Sequence, residues 1–346
     1  MKVNIFNEAY GTKGGGPKAY CDTIARELKE KDVDIVFNEL RDRSDITHFN
    51  FYGPRAFLKL KLTSKPTIGS THYTEEEFGE TFGGGAFVSS AMWKFVKYMY
   101  RNMDALISPS HYTKSLIRRY GIRRPTAVIT NGIEPQKFKR DMSARERFRE
   151  RFNIGDDILI YSVGYCIPRK GIFTMLRLAR RLKEYRFAWV GRFFKGGKDE
   201  VRIRKAIERA PRNFLHTGFV ESITEAHSGG DIFLFASHAE NQGIVILEAA
   251  ATGNPVIVRD LPVYDGWLKN GWNCIKCRNL GEFEEAVRNV AEDENLRKRL
   301  VRNGRKLAEE HDIRKNIKYL IKAYECTING ELDEVDHISS YRTLKY

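Results

Sequence analysis

Two glutamates eight residues apart, Glu240 and Glu248, stand in the mostly apolar stretch from Asp231 to Val258, DIFLFASHAENQGIVILEAAATGNPVIV. An ionised carboxylate only accepts hydrogen bonds, and its paired oxygens suit the neighbouring hydroxyls of a sugar or a ribose. Glu248 is the one charge among Ile244, Val245, Ile246, Leu247, Ala249, Ala250 and Ala251. Burying a lone carboxylate in such company is costly unless it is paired or faces a polar cleft. Two solutions fit: a core glutamate satisfied by an arginine or by backbone amides, or a glutamate that meets a ligand.

The elements around these residues favour the second. Asp231 to Ser237 reads as a buried strand, Ser237 to Gln242 as a turn, and Gly243 to Thr252 as a buried helix ending at Gly253. Gly243 lets backbone come close to whatever occupies the mouth of the turn. A strand end, a carboxylate, a helix amino terminus lined by Gln242, Gly243 and Ile244, and a second carboxylate make a layout for a phosphorylated, hydroxyl-rich ligand.

Embedded in S-x-x-E-x-x-G-x-x-x-x-E-A-x-A-x-G-x-P-V, the E-x7-E pair resembles the C-terminal domain of the retaining, GT-B-fold glycosyltransferases called glycosyl transferases group 1. The resemblance implies that Glu240 fixes hydroxyls of the transferred sugar and Glu248 the ribose hydroxyls of a nucleotide. It extends to Gly164-Tyr165-Cys166-Ile167-Pro168-Arg169-Lys170-Gly171, similar to the family's diphosphate-binding loop G-R-x-x-x-x-K-G. Lys170 matches the diphosphate-binding lysine, a compact point charge suited to phosphate. Tyr165 stands where the family has arginine. A phenol donates one neutral hydrogen bond, so part of the charge must come from elsewhere, with Arg169 the candidate. Gly14, Gly15 and Gly16 resemble the family's glycine-rich loop facing the donor diphosphate; the plain alternative is a tight strand-to-helix corner. Ser70-Thr71-His72 resembles the point where a histidine touches the transferred sugar, although a lone histidine also serves as a hydrogen-bonded core residue. Together these make Glu240, His72 and Lys170 the expected catalytic set.

Along the chain, Lys2 to Asn7, Asp34 to Asn38, Asp45 to Phe51, Pro66 to His72, Leu106 to Ser108 and Ala127 to Thr130 read as strands with helical segments between. A second series has strands at Ile158 to Val163, Phe187 to Gly191, Phe214 to Thr217, Ile232 to Ala236 and Val256 to Val258. Alternation of this kind predicts two doubly wound parallel sheets, an α/β architecture that matches GT-B, two Rossmann-like domains facing a central cleft. The expected divisions are an acceptor-binding domain over 1–139, a linker over 140–156 and a nucleotide-sugar domain over 157–312. A helix over 313–330 is expected to cross back, and 331–346 reads as a polar tail. Ser143 and Glu146 form a capping box in the linker.

Composition sets the remaining bounds. With 59 Lys and Arg against 45 Asp and Glu, the net charge of +14 predicts an anionic partner such as a nucleotide, nucleic acid or anionic lipid. No zinc finger, RNA-binding signature or basic zipper is present, so specific nucleic-acid binding is not expected. No stretch of 18 apolar residues occurs and the start MKVNIFNEAY has no signal-peptide pattern, which predicts a cytoplasmic protein. In Ala86 to Asn102, Lys94, Lys97 and Arg101 share one helical face, and with Arg55 to Lys65 this resembles a surface that lies on anionic membrane. A half-buried helix with a solvated basic face is the alternative. Cys274 and Cys277 have metal or redox spacing without a second pair, which favours a structural role, and Asp32-Val33-Asp34 reads as a solvated turn. No metal and no cofactor are therefore expected.

The predicted activity is hexose transfer, with retention, from a nucleotide-diphospho-sugar to an acceptor hydroxyl. UDP-glucose is preferred over GDP-mannose. Arg259 to Cys274, RDLPVYDGWLKNGWNC, resembles family members that glucosylate diacylglycerol, which makes a lipid the preferred acceptor and a sugar or polysaccharide the next. The rivals are a nucleotide-sugar 2-epimerase of the same architecture and a non-catalytic nucleic-acid binder.

Overall fold

A computed structural model describes residues 1–8, 16–41, 43–81, 85–197 and 199–341. The chain divides into two compact units, Met1–Phe78 with Ser89–Gly132 and His311–Tyr346, and Gly79–Val88 with Ile133–Glu310.

The first unit holds β1 (Lys2–Phe6), β2 (Asp34–Phe37), β3 (Ile46–Phe49), β4 (Thr67–Ser70), β5 (Ala105–Ser108) and β6 (Thr126–Val128). They form one six-stranded sheet in the order β2-β1-β3-β4-β5-β6, every pair parallel. Parallel strands need crossover helices that cover both faces, which is why β3, β4 and β5 are buried from end to end. The order reverses between β1 and β3, so the crevice beyond their carboxyl ends opens at Asn7 and Asn50.

The second unit repeats the plan with β7 (Leu159–Val163), β8 (Arg186–Val190), β9 (Phe214–Gly218), β10 (Ile232–Phe235), β11 (Val256–Arg259) and β12 (Ile275–Cys277). Their order is β12-β11-β10-β7-β8-β9, again all parallel. Here the reversal falls between β7 and β10, and the segments leaving those two strands are Gly164–Gly171 and Ser237–Gly243. The sheet topology therefore brings the two segments singled out by residue chemistry to one switch point.

Residues 140–156, expected as a linker, contain the helix Met142–Arg151 and belong to the second unit. Phe148 is buried, and Arg145 and Arg149 both pair with Asp231 at the start of β10. The predicted capping box does not form: Asp141 caps the helix, accepting from the Ala144 amide at 3.1 Å, which leaves Ser143 inside the first turn.

The helix Ile313–Asn329 places Ile313, Ile317, Leu320 and Tyr324 in the same core as Val3 and Ile5 of the first unit. The segment read as a polar tail is also built in, through residue 341. Val335 and Ile338 are buried, and the Val128 amide donates to the Ile338 carbonyl while Ser340 donates back to Val128, both at 2.9 Å. The tail thus pairs with the otherwise open edge of β6. Two apolar anchors among many charges gave too weak a periodicity to announce this.

Candidate active site

In the second unit, Gly171 has φ of 90° and a Cβ there would lie 2.4 Å from the Ala236 carbonyl oxygen. Only glycine permits that approach, which presses the Gly164–Gly171 segment onto the end of β10. A further bond laces the segments together, from the His238 amide to the Arg169 carbonyl at 2.7 Å. Lys170 and Glu240 meet as a consequence: Nζ lies 2.5 Å from Oε1, with Ser237 Oγ donating to the same oxygen at 2.6 Å. Arg169 Nη1 is 3.6 Å away. Burial pushes the Glu240 carboxyl up, but Lys170, Arg169 and the two hydrogen bonds outweigh it and hold the group below the usual carboxylate range.

Arg169 is itself buried, and its Nη1 donates to the Ala239 carbonyl at 2.6 Å. Its charge backs Glu240. The guanidinium that accompanies Tyr165 is Arg192, whose Nη2 donates to the phenol oxygen at 3.0 Å and whose carbon lies 5.4 Å from the ring centre. Arg192 is exposed and leaves the carboxyl end of β8, the strand beside β7. Sequence reading passed over it because an arginine after Gly191 has no motif of its own; the parallel order of β7 and β8 is what brings it to Tyr165.

The helix Ile244–Thr252 begins at Gly243, with φ of 84° and no side chain capping its first amides. Gln242 is buried at its approach and Ile244 opens its first turn. Glu248 is partly buried, with its Oε2 3.3 Å from His227 Nε2. Among the described residues neither an arginine nor a backbone amide holds it. Tyr264 is fully buried within reach of the Glu240 charge, and its hydroxyl has no hydrogen-bond partner among the described residues.

Gly14 and Gly15 lie outside the described residues; Gly16 begins the helix Gly16–Lys29. In the first unit, His72 follows β4 by two residues, with Nε2 3.4 Å from Asn50 Oδ1 and its ring edge-on to Tyr20 at 5.1 Å. Burial lowers its pKa to about 4, so the ring is neutral near pH 7. Behind it runs a buried string: Tyr324 to His48 Nδ1 at 2.6 Å, His48 Nε2 to Ser70 at 2.8 Å, Ser70 to Asn50 at 3.0 Å. The Asn50 amide nitrogen, fully buried, has no partner among the described residues. Asn50 was not singled out in the sequence, where nothing but its place two residues before Tyr52 at a strand end distinguishes it.

Cys274 and Cys277 are free, buried thiols, each pushed up to about 12 by burial. They remain protonated, as suits a packing role. Asp32 takes the left-handed conformation, φ 58°, in the turn before β2.

Residues 144–307 match the family described as glycosyl transferases group 1, and residues 18–137 match glycosyltransferase family 4. The chain is a glycosyltransferase that carries both of these domains. It is 29% identical over 331 residues to a processive diacylglycerol alpha-glucosyltransferase of Acholeplasma laidlawii, covering 94% of this chain and 98% of that protein. It is 25% identical over 327 residues to an alpha-galactosylglucosyldiacylglycerol synthase of Streptococcus pneumoniae, covering 90% and 87%. Among solved structures, Anabaena HepE in complex with UDP-glucose superposes with a TM-score of 0.77 at 17% identity, covering 93% of this chain and 100% of that one. The fold of this glycosyltransferase is GT-B.

Proposed function

We propose that the protein moves glucose from UDP-glucose, with retention at the anomeric carbon, to a hydroxyl of a diacylglycerol-type lipid at the inner membrane surface. The observation that carries this reading is the Lys170–Glu240 pair at the switch point of the second sheet, beside uncapped helix amides. In transfer, the bond from the anomeric carbon to the diphosphate breaks, a bond to the acceptor oxygen forms, and the acceptor proton leaves with the diphosphate. Lys170, Arg192 and the amides after Gly243 meet the charge that develops on the leaving group; Glu240 holds sugar hydroxyls and Glu248 the ribose diol. These groups supply the stabilisation that a divalent ion would give elsewhere, so no metal is required.

The lipid acceptor is supported by the names of the two relatives and by a surface of the first unit. Phe57, Leu58 and Leu62 are exposed on the helix Pro54–Leu62, with Lys61 5.2 Å from the ring centre of Tyr98 on the helix Gly85–Arg101. Exposed apolar side chains with Lys61 among them fit a peripheral contact with anionic lipid. Among the described residues no helix is long and apolar enough to cross a membrane. UDP-glucose is supported by its presence in the HepE complex.

The test is incubation with UDP- and GDP-sugars and mixed diacylglycerol and phosphatidylglycerol vesicles, with and without EDTA. The expected product is an α-glucosyl lipid formed from UDP-glucose in either condition. A β-linked product, a need for metal, or transfer confined to soluble acceptors would each reject the corresponding part of the proposal. Sugar isomerisation without acceptor would favour an epimerase.

A further inference from the structure

Glu248 stands at the end of a directed hydrogen-bond chain that lies within the second unit. Its far end is Arg140, whose Nη2 donates to Asn254 Oδ1. A guanidinium has only donors, so it fixes which way the asparagine amide faces. The Asn254 nitrogen then points to the Tyr161 hydroxyl at 2.9 Å and to the His227 carbonyl at 2.8 Å. That carbonyl accepts only, which fixes the amide a second time. With its oxygen already receiving from Asn254, the Tyr161 phenol has its single proton left for His227 Nδ1, 2.7 Å away. Burial pushes the phenol well above its ordinary pKa, so the proton is retained. Nδ1 of His227 is therefore an acceptor, the ring proton sits on Nε2, and it is donated to Glu248 Oε2.

The packing is built for this chain. Tyr161 and His227 are completely buried and Asn254 is 1% exposed. A Cβ at Gly230 would lie 2.2 Å from the Tyr161 ring, so only glycine lets that ring occupy its place beside His227. A buried imidazole with both nitrogens satisfied is a rigid donor, whereas the partly exposed Glu248 by itself would sample several rotamers.

We infer that His227 is a positioning residue that locks the Glu248 carboxylate for a ribose diol, and that this lock selects nucleotides carrying both ribose hydroxyls. The inference rests on the reading of Glu248 as the ribose anchor. An unlocked carboxylate still accepts hydrogen bonds, but it must be ordered at the moment of binding, and the preference for a diol shrinks accordingly.

The experiment measures dissociation constants by calorimetry for UDP and GDP and for their dideoxy counterparts, which lack both ribose hydroxyls. Wild type is expected to prefer the ribo form of its cognate diphosphate by about tenfold or more. His227→Asn, too short to reach Glu248, closes most of that gap. His227→Gln, whose amide nitrogen reaches the Nε2 position, keeps it. Tyr161→Phe, which removes one oxygen and leaves the ring packing, narrows it. The ratio of the two constants is unaffected by a fraction of unfolded protein, and Tyr161→Phe decides if the histidine variants do not fold. A full gap in His227→Asn, or in Tyr161→Phe where that variant decides, overturns the inference when Glu248→Ala closes the gap. An unchanged gap in Glu248→Ala, or no binding of either diphosphate by wild type, removes the ribose reading of Glu248 and the inference with it.

Discussion

Lys170 Nζ lies 2.5 Å from Glu240 Oε1, in a pocket where the glutamate side chain is 5% and the lysine side chain 18% exposed. The two residues assigned to the diphosphate and to the sugar thus neutralise each other before a donor arrives. Removing one partner of such a pair leaves the other charge buried, which costs more than the pair is worth. Lys170→Ala is expected to abolish transfer and to lower stability by about 2 kcal/mol, less than for a fully orphaned charge because Arg169 and Ser237 still face Glu240. Urea unfolding of the two single variants and the double variant checks this: additive losses would show that the pair is not coupled.

The acid side of the stability profile follows from three buried groups. Burial holds His48 at about 3 and His72 at about 4, below the ordinary histidine value near 6.5. The unfolded chain then takes up protons that the native protein refuses, so stability is full above about pH 6.5 and falls as pH drops towards those native values, by about 1.4 kcal/mol per pH unit for each histidine. Glu240, held low, adds its own loss only below the ordinary carboxylate range. Unfolding midpoints at pH 7 and pH 5 should differ clearly, and His72→Gln should shrink the difference. Equal midpoints would mean that the two rings are protonated in the native state.

Tyr264 gives an opposite expectation. Among the described residues its buried hydroxyl has no partner, and an unsatisfied polar group destabilises by about 1–3 kcal/mol. Tyr264→Phe should therefore leave thermal stability unchanged or raise it. A lowered melting temperature in the unliganded protein would reveal a bound water on that oxygen.

Much of this was legible in the residues, and the limits are physical. The two sheets follow from apolar runs alternating with helical periodicity, and the candidate site of the second unit from carboxylates and glycines whose types are costly to place anywhere else. Lys170 and Glu240 are 70 positions apart, yet each sits at a strand end of a doubly wound sheet, so their meeting follows from topology. What the sequence hid were residues of ordinary type made special by packing. His227 reads as one polar residue among many, Arg192 as one of many arginines, and Asn50 as an asparagine near the end of a strand. Their roles depend on which neighbours the sheet order supplies.

Phe57, Leu58 and Leu62 are exposed, and variants there test the proposed membrane contact separately from catalysis. Leu58→Glu with Leu62→Glu removes apolar area and adds like charge against an anionic bilayer, while both positions are too exposed to matter for folding. Sedimentation with phosphatidylglycerol vesicles should show binding reduced at least about tenfold, with an unchanged melting temperature. Hydrolysis of UDP-glucose in solution should be unaffected. Undiminished vesicle binding would place the membrane contact elsewhere.

Arg192 is the sharpest test of how this chain manages without an arginine at position 165. Tyr165 has no charge, and Arg192 Nη2 reaches its hydroxyl at 3.0 Å. If the guanidinium supplies the missing charge to the departing diphosphate, Arg192→Ala should raise the KM for the donor by about tenfold and also lower kcat, because charge on the leaving group grows in the transition state. Arg192 is exposed, so the variant should melt where wild type does. Placing the charge back by Tyr165→Arg in the Arg192→Ala background should recover much of the lost kcat. Tyr165→Phe alone should cost little, since it removes the hydroxyl that accepts from Arg192 and leaves the guanidinium over the ring. Recovery with no change in the single Arg192 variant is impossible on this account; wild-type kinetics in Arg192→Ala would assign the diphosphate to Lys170 and the helix amides alone.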